Sequence, residues 1–215
     1  MMPPATRAST STTIKGTAIR RTVLLEVSVV SAATARMGVL LLELSAVTAA
    51  SSDRTKEKRP TNIGDYRTPI GIPEVVLEGS DITLVSYGST FNICEKACHI
   101  LKEHNIHVEL IDIQTILPFD INHRIKQSLE KTNRLLLVDE DVSGGACGFM
   151  LDKILTEQKA YFTLDSAPVT LTSKDHRPAY GSDGDYFSKP NLEDIIEKVM
   201  EIMHEANPSK HHKIY

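Results

Sequence analysis

An α/β fold, a mainly parallel sheet of about five strands flanked by helices, is predicted by two features of this 215-residue sequence. From Asp81 onward short apolar runs alternate with amphipathic stretches, and Gly, Pro, Asn or Asp punctuate the joins. Residues 82–87 read as a buried strand. After Gly88 and Ser89, the residues Ile93, Ala97, Ile100 and Leu101 recur at helical spacing up to His104. Residues 108–113 form the second strand; Leu117 to Asp120 stops it and opens a helix, with Asp120 as N-cap and Leu129 closing the apolar face. Residues 134–139 are the third strand, followed by Ser143, Gly144, Gly145 and a helix through about Leu155. A fourth strand is placed at 167–172. A long polar segment follows from Ser173 to Pro190, and loops of that length are functional, packed on another surface, or mobile. The final helix, 191–205, puts Leu192, Ile195, Ile196, Val199 and Ile202 on one face and starts at Asn191 or Ser188. The tail beyond Pro208 is expected to fray.

Charge is unevenly spread. Residues 1–59 hold nine Lys and Arg against four Asp and Glu, and residues 60–215 hold fifteen against twenty-four, so the two parts carry about +5 and −9. An acidic domain repels phosphates, which excludes nucleic acid as the expected partner. Three cysteines without framework spacing point to a reducing compartment, the cytoplasm.

The first stretch is compositionally distinct. Residues 1–54 contain no Phe, Tyr, Trp, His, Cys, Asn or Gln. Arg7, Lys15, Arg20 and Arg21 precede any acidic residue, and the apolar run 23–35 ends in Ala33-Thr34-Ala35, so one reading is a transit peptide, which would place the chain in the mitochondrial matrix. The other is an out-of-frame or truncated start joined to a genuine domain. A membrane span is not expected, because the apolar run 39–50 is too short and contains Glu43. The expected organisation is thus a leader at 1–55, a lead-in at 56–80, the α/β domain at 81–207 and a tail at 208–215.

The order of motifs is similar to a known family. Residues 81–88, then the Asp-x-x-Thr-x-x-Pro-x-Asp turn made by Asp112, Thr115, Pro118 and Asp120, then residues 137–140 with Gly144 and Gly145, resemble the transketolase carboxy-terminal domain. More closely they resemble that domain in the beta chain of thiamine-diphosphate-dependent 2-oxoacid dehydrogenases, branched-chain or pyruvate type. Lys56 to Pro60 and Thr68 to Gly71 look like its lead-in. Several weak motifs in the right order are more specific than any one. The resemblance implies a fragment of an enzyme that decarboxylates a 2-oxoacid on thiamine diphosphate and magnesium and acylates a lipoyl group. It also implies partners: the thiamine-binding domains or alpha chain, and the lipoyl acyltransferase. The third domain of a transketolase or deoxyxylulose-phosphate synthase has the same architecture, and a stand-alone binding module is a further reading. The family's diphosphate-magnesium motif is absent; residues 181–185 (Gly-Ser-Asp-Gly-Asp) resemble it only superficially. This chain alone is therefore expected to bind neither thiamine diphosphate nor metal and to be inactive. Gln114 stands where many beta chains have Arg.

No residue is assigned a catalytic, cofactor or metal role. The candidate subunit-interface residues are Gln114, the carboxylates Asp139, Glu140 and Asp141 at a strand end, and Asp175, His176, Arg177, Tyr180, Tyr186 and Phe187 in the long loop, where aromatics with Arg are the types enriched at interface centres. The loop folding over its own sheet is the alternative. Gly144 and Gly145 before a helix could hold an anion, but tight packing of helix on strand is the simpler reading. Cys94 and Cys98 share a helix face at i, i+4, and core packing is preferred over a zinc site.

Overall fold

The computed structural model describes residues 64–65, 67–176, 180 and 184–211. The leader 1–55, Arg177 and residues 212–215 lie outside them. The elements run β1 (Glu74–Leu77), β2 (Ile82–Ser86), α1 (Gly88–Glu103), β3 (Val108–Asp112), α2 (Arg124–Thr132), β4 (Leu135–Val142), α3 (Ala146–Asp152), a π-helical turn Lys153–Glu157, a 3-10 turn Ala160–Thr163, β5 (Val169–Ser173), α4 (Gly184–Ser188) and α5 (Leu192–Ala206). The sheet order is β1-β3-β2-β4-β5; β1 is antiparallel to β3 and every other pairing is parallel. The expected five-stranded, mainly parallel sheet is present. Its fifth strand is β1, which lies in the segment read as lead-in: four residues, alternately exposed and half-buried, are too short to show a strand period.

Strand β2 lies at the centre and all five of its residues are buried. A strand covered on both faces needs helices on both sides of the sheet. On one face α1 packs against β2, β3, β4 and α5, through Cys94, Ala97, Cys98 and Leu101 and the α5 stripe Leu192, Ile195, Ile196, Val199, Ile202 and Met203. On the other, Val85, Ile111, Ile113, Leu135 and Leu137 meet Ile125, Leu129, Cys147, Met150 and Ile154. Burying a side chain of this size contributes about 1.5–3 kcal/mol.

The helix ends are set by local chemistry. Helix α1 stops in a Schellman motif: Asn105 takes φ +59°, its N–H reaches Lys102 O, and the Ile106 N–H reaches Leu101 O at 3.0 Å while the Ile106 side chain is buried. Helix α5 opens with a capping box in which Asn191 Oδ1 accepts from the Asp194 N–H at 2.9 Å and Asp194 Oδ2 accepts from the Asn191 N–H at 3.1 Å. That settles its start at Asn191. Asp120 corrects the expectation of an ordinary N-cap. The cap position belongs to His123, with φ +53°, and Asp120 reaches forward from the turn to accept from the Arg124 and Ile125 N–H groups at 2.7 and 3.1 Å. The buried Gln158 amide also donates to it at 3.0 Å. Two further corrections concern regularity. The helix after Gly145 passes into the π-turn at Lys153, and the tail does not fray at Pro208: the chain turns on Asn207 and buries His211, which is 7% exposed.

A polar network lies under α2. Glu109 on β3 is buried and accepts from the Gly79 N–H at 3.2 Å, from the Ser128 hydroxyl and from Lys131. Thr83 on β2 is bonded to Ser128 at 2.8 Å and to Thr132 at 2.7 Å. Glu109 holds the Lys131 ammonium above its ordinary pKa. Gly79 is required here, since a Cβ would lie 2.2 Å from the Val108 carbonyl carbon.

Asp120→Ala removes the cap of α2 and leaves the Gln158 amide without its acceptor. It is expected to cost about 2–3 kcal/mol by urea titration with an unchanged m-value. A loss under about 0.5 kcal/mol would show that the turn does not depend on this carboxylate.

Candidate functional site

The chain leaves β2 for α1 and β3 on one side, and β4 lies on the other side of β2, so the strand order reverses between the carboxyl ends of β2 and β4. In open α/β sheets that crevice is where functional groups gather. Here the two ends are tied together: Ser86 Oγ donates to Val138 O at 2.9 Å, Tyr87 Oη donates to Asp139 Oδ1 at 2.8 Å, and Ser89 Oγ donates to Glu140 Oε2 at 3.1 Å. Asp139 also accepts from the Asp141 N–H at 3.2 Å, and its second oxygen is buried without a partner among the described residues.

The local chemistry is that of a brace. Burial and the Asp139 bond push the Tyr87 phenol well above its ordinary value, and burial beside Asp139 and Asp141 pushes the Cys147 thiol up to about 12. Both groups stay protonated at neutral pH, so neither is an activated nucleophile. Gly144 takes φ +83°, a backbone conformation that favours glycine, and a Cβ on Gly145 would lie 2.3 Å from Asp141 Oδ2. Gly144 thus serves the turn and Gly145 the close approach, and the Asp141 carboxylate already sits against the start of α3.

The sequence-derived interface residues separate into groups. Asp139 is 1% exposed and faces Tyr87, so it supports the rim from beneath, while Glu140 and Asp141 are exposed. All three lie within β4, which runs three residues past the expected strand end. The end of the long segment folds back over this rim: Lys189 reaches Glu140 at 3.2 Å, the Lys174 N–H donates to Ser188 O at 2.9 Å, and Tyr186 Oη donates to Glu193 at 2.7 Å. Tyr180 and Phe187 nevertheless remain exposed, and Phe187 stands edge-on to Tyr186 at 5.6 Å. Asp175 and His176 are exposed just beyond β5. Gln114 sits apart, at φ +57°, with its amide donating to Glu74 on β1 at 2.8 Å.

A second surface was missed by the sequence reading. The lead-in is clamped to the turn after β3: the Gly71 N–H donates to Thr115 Oγ1 at 2.7 Å and the Ile121 N–H donates to Gly71 O at 2.9 Å. Gly71, at φ +76°, lies so close to Pro118 and Ile121 that a Cβ would meet the proline ring at 2.9 Å. Around this contact Ile70, Leu117 and Ile121 are 68%, 77% and 55% exposed. Three large aliphatic side chains on a clamped loop are unusual for a solvated surface. The available signal was Leu117, an apolar residue inside a turn that needs none.

Among the described residues no three His, Cys, Asp or Glu side chains converge as a metal site. Cys94, Cys98 and Cys147 are free and buried. Within the acidic cluster Asp139 bonds Tyr87, Glu140 bonds Ser89 and Lys189, and Asp141 accepts from the Val142 N–H.

Residues 72–191 match the family model described as transketolase, C-terminal domain. Among curated proteins, the pyruvate dehydrogenase E1 component subunit beta of Acholeplasma laidlawii is 38% identical over 110 residues, covering 51% of this chain and 33% of the relative. The mitochondrial 2-oxoisovalerate dehydrogenase subunit beta 2 of Arabidopsis thaliana is 38% identical over 106 residues, covering 49% and 29%. This chain therefore spans about a third of these relatives' length. A solved split-gene transketolase, described as an inactive beta4 tetramer, shares the fold with a TM-score of 0.53 at 21% identity, over 65% of this chain and 43% of its own. The matched span contains all five strands, from β1 to β5, and the chain belongs to the transketolase carboxy-terminal domain family.

Proposed function

We propose that this chain supplies the carboxy-terminal assembly domain of the decarboxylating component of a 2-oxoacid dehydrogenase acting on pyruvate or a branched-chain 2-oxoacid. The observation that carries the proposal is the rigid apolar surface of Ile70, Leu117 and Ile121, built where the lead-in meets the turn after β3. An apolar centre of this kind is what a subunit contact desolvates. In this reading the surface packs on the thiamine-binding domains or alpha chain. The rim of Glu140, Asp141, Asp175, His176, Tyr180, Tyr186 and Phe187 faces a second partner, the lipoyl acyltransferase, whose attraction to an acidic surface the charge of this region favours. Thiamine diphosphate and magnesium are held by parts of the enzyme outside this chain, and the chain alone does no chemistry. The names of the sequence relatives support the dehydrogenase over a transketolase, for which the fold and the description of the shared domain family speak. A reducing compartment, the cytoplasm, is supported by the three free buried thiols; the mitochondrial matrix is the alternative if residues 1–55 act as a targeting peptide.

Leu117→Asp with Ile121→Asp is expected to abolish co-elution of this chain with the alpha chain and thiamine-binding domains while leaving its circular dichroism and melting temperature unchanged. Co-elution that survives the double variant would sink the proposed contact. Purified alone with thiamine diphosphate and magnesium, the chain is expected to release no carbon dioxide from pyruvate or 2-oxoisovalerate, and turnover above the buffer blank would contradict an assembly role.

Tyr87→Phe separates bracing from catalysis. It removes one hydrogen bond to a buried carboxylate and is expected to lower stability by about 1–3 kcal/mol in a urea titration. The kcat of an assembled enzyme containing the variant should stay within about twofold of the parent; a loss of a hundredfold or more would mark Tyr87 as part of the chemistry.

A further inference from the structure

The turn beyond α5 is built in more detail than a chain end requires. Asn207 Oδ1 accepts from Ser209 Oγ at 2.7 Å and from the Lys210 N–H at 3.1 Å, and Asn207 O accepts from the N–H groups of Lys210 and His211 at 3.2 and 3.0 Å. His204, in the last turn of α5, has its Nδ1 2.6 Å from His211 O. These bonds carry the His211 ring into the protein, where its Nε2 is buried with no partner among the described residues. The surroundings come from three elements. Asp81, just before β2, faces Lys210 Nζ at 4.0 Å and accepts from the His107 N–H at 2.7 Å. Arg134, just before β4, donates to Asp81 O at 3.0 Å, pairs with Asp165 at 2.5 Å, and has its own Nε buried without a partner. Lys210 and His204 complete the set. Around His211 the cations Lys210 and Arg134 oppose one carboxylate, Asp81.

We infer that residues 207–211 form a pH-sensitive latch: the tail docks on the amino-terminal end of the sheet with His211 neutral, and proton uptake by that ring releases it. A protonated His211 would place an ammonium-like charge in a buried site beside two cations, with no acceptor for its Nε2 proton. Burial first, and then Lys210, hold the docked imidazole below its ordinary value, while Asp81 opposes them. The sign follows from linkage. With the docked pKa below that of the free ring, docking is at full strength above the ordinary value of 6.5 and weakens as the pH falls through it toward the docked value. Release uncovers Asp81 and Arg134 at the starts of β2 and β4, so the acid form presents a surface that the neutral form hides.

Hydrogen exchange of the full chain between pH 7.5 and 5.0, corrected for intrinsic rates, tests this. Protection of the Lys210 and His211 amides is expected to fall by about tenfold for each unit that separates the docked and free pKa values. Protection of the Ile196 and Val199 amides in α5 should stay constant. His211→Asn keeps a neutral polar group and should make the tail amides indifferent to pH, and Asp81→Asn, which removes the one carboxylate opposing the two cations, should deepen the loss of tail protection on the acid side and move release to higher pH. Tail protection that does not change in the parent, a pH response that persists in His211→Asn, or loss of α5 protection over the same interval would each overturn the latch.

Discussion

The complete burial of β2 constrains everything else in the domain. Ile82, Thr83, Leu84, Val85 and Ser86 are all shielded, so neighbouring strands must pair on both edges and helices must cover both faces. Parallel neighbours need crossover helices, and these fix the point where the strand order reverses beside β2. The two polar residues of β2 show how strictly the site is filled. Ser86 bonds to the backbone of β4, and Thr83 bonds to two hydroxyls on α2, so neither leaves a buried group unmade.

The same accounting explains the turn after β3. Asp112 accepts from the Gln114 N–H at 3.1 Å, Thr115 holds the lead-in through Gly71, and Asp120 caps α2 while anchoring Gln158. Three of the four residues that define the turn thus hold their neighbours in place through side-chain bonds. Phe119 turns inward and stands edge-on to Phe149 at 6.1 Å. With the polar groups and one aromatic committed inward, the aliphatic side chains of Leu117 and Ile121 are left outside on a backbone that cannot rearrange to hide them. A clamped loop with an apolar exterior has little backbone entropy left to lose when a partner covers it, which favours association.

How much of this was legible in the sequence depends on whether a residue's role follows from its own type. Strands β2 and β3 and helices α1 and α5 were readable because apolar period and capping chemistry agree locally. Strand β1 was not, since Glu74-Val-Val-Leu77 is short and half-exposed and becomes a strand only by pairing with β3. Glu109 was hidden for the opposite reason. A carboxylate inside an apolar run reads as solvent-facing, and its burial rests on Ser128, Lys131 and Gly79, which come from elsewhere in the chain. Asp139, Glu140 and Asp141 were visible as a cluster, but only the fold distinguishes the buried brace from its two exposed neighbours. The family resemblance was legible because the turn's residues keep their spacing even where their partners are invisible in one dimension.

The rim between β2 and β4 bears on where chemistry could occur. An α/β switch point ordinarily offers unengaged polar groups to a ligand, yet here Tyr87 and Ser89 cross the gap to Asp139 and Glu140, and Lys189 reaches over it from the segment before α5. Each bond that closes the gap stiffens the edge and removes a group that a substrate would need. Tyr87 and Cys147, the groups with the intrinsic chemistry to react, are held in their neutral forms by burial and by the adjacent carboxylates. A crevice filled in this way is suited to holding a surface in shape.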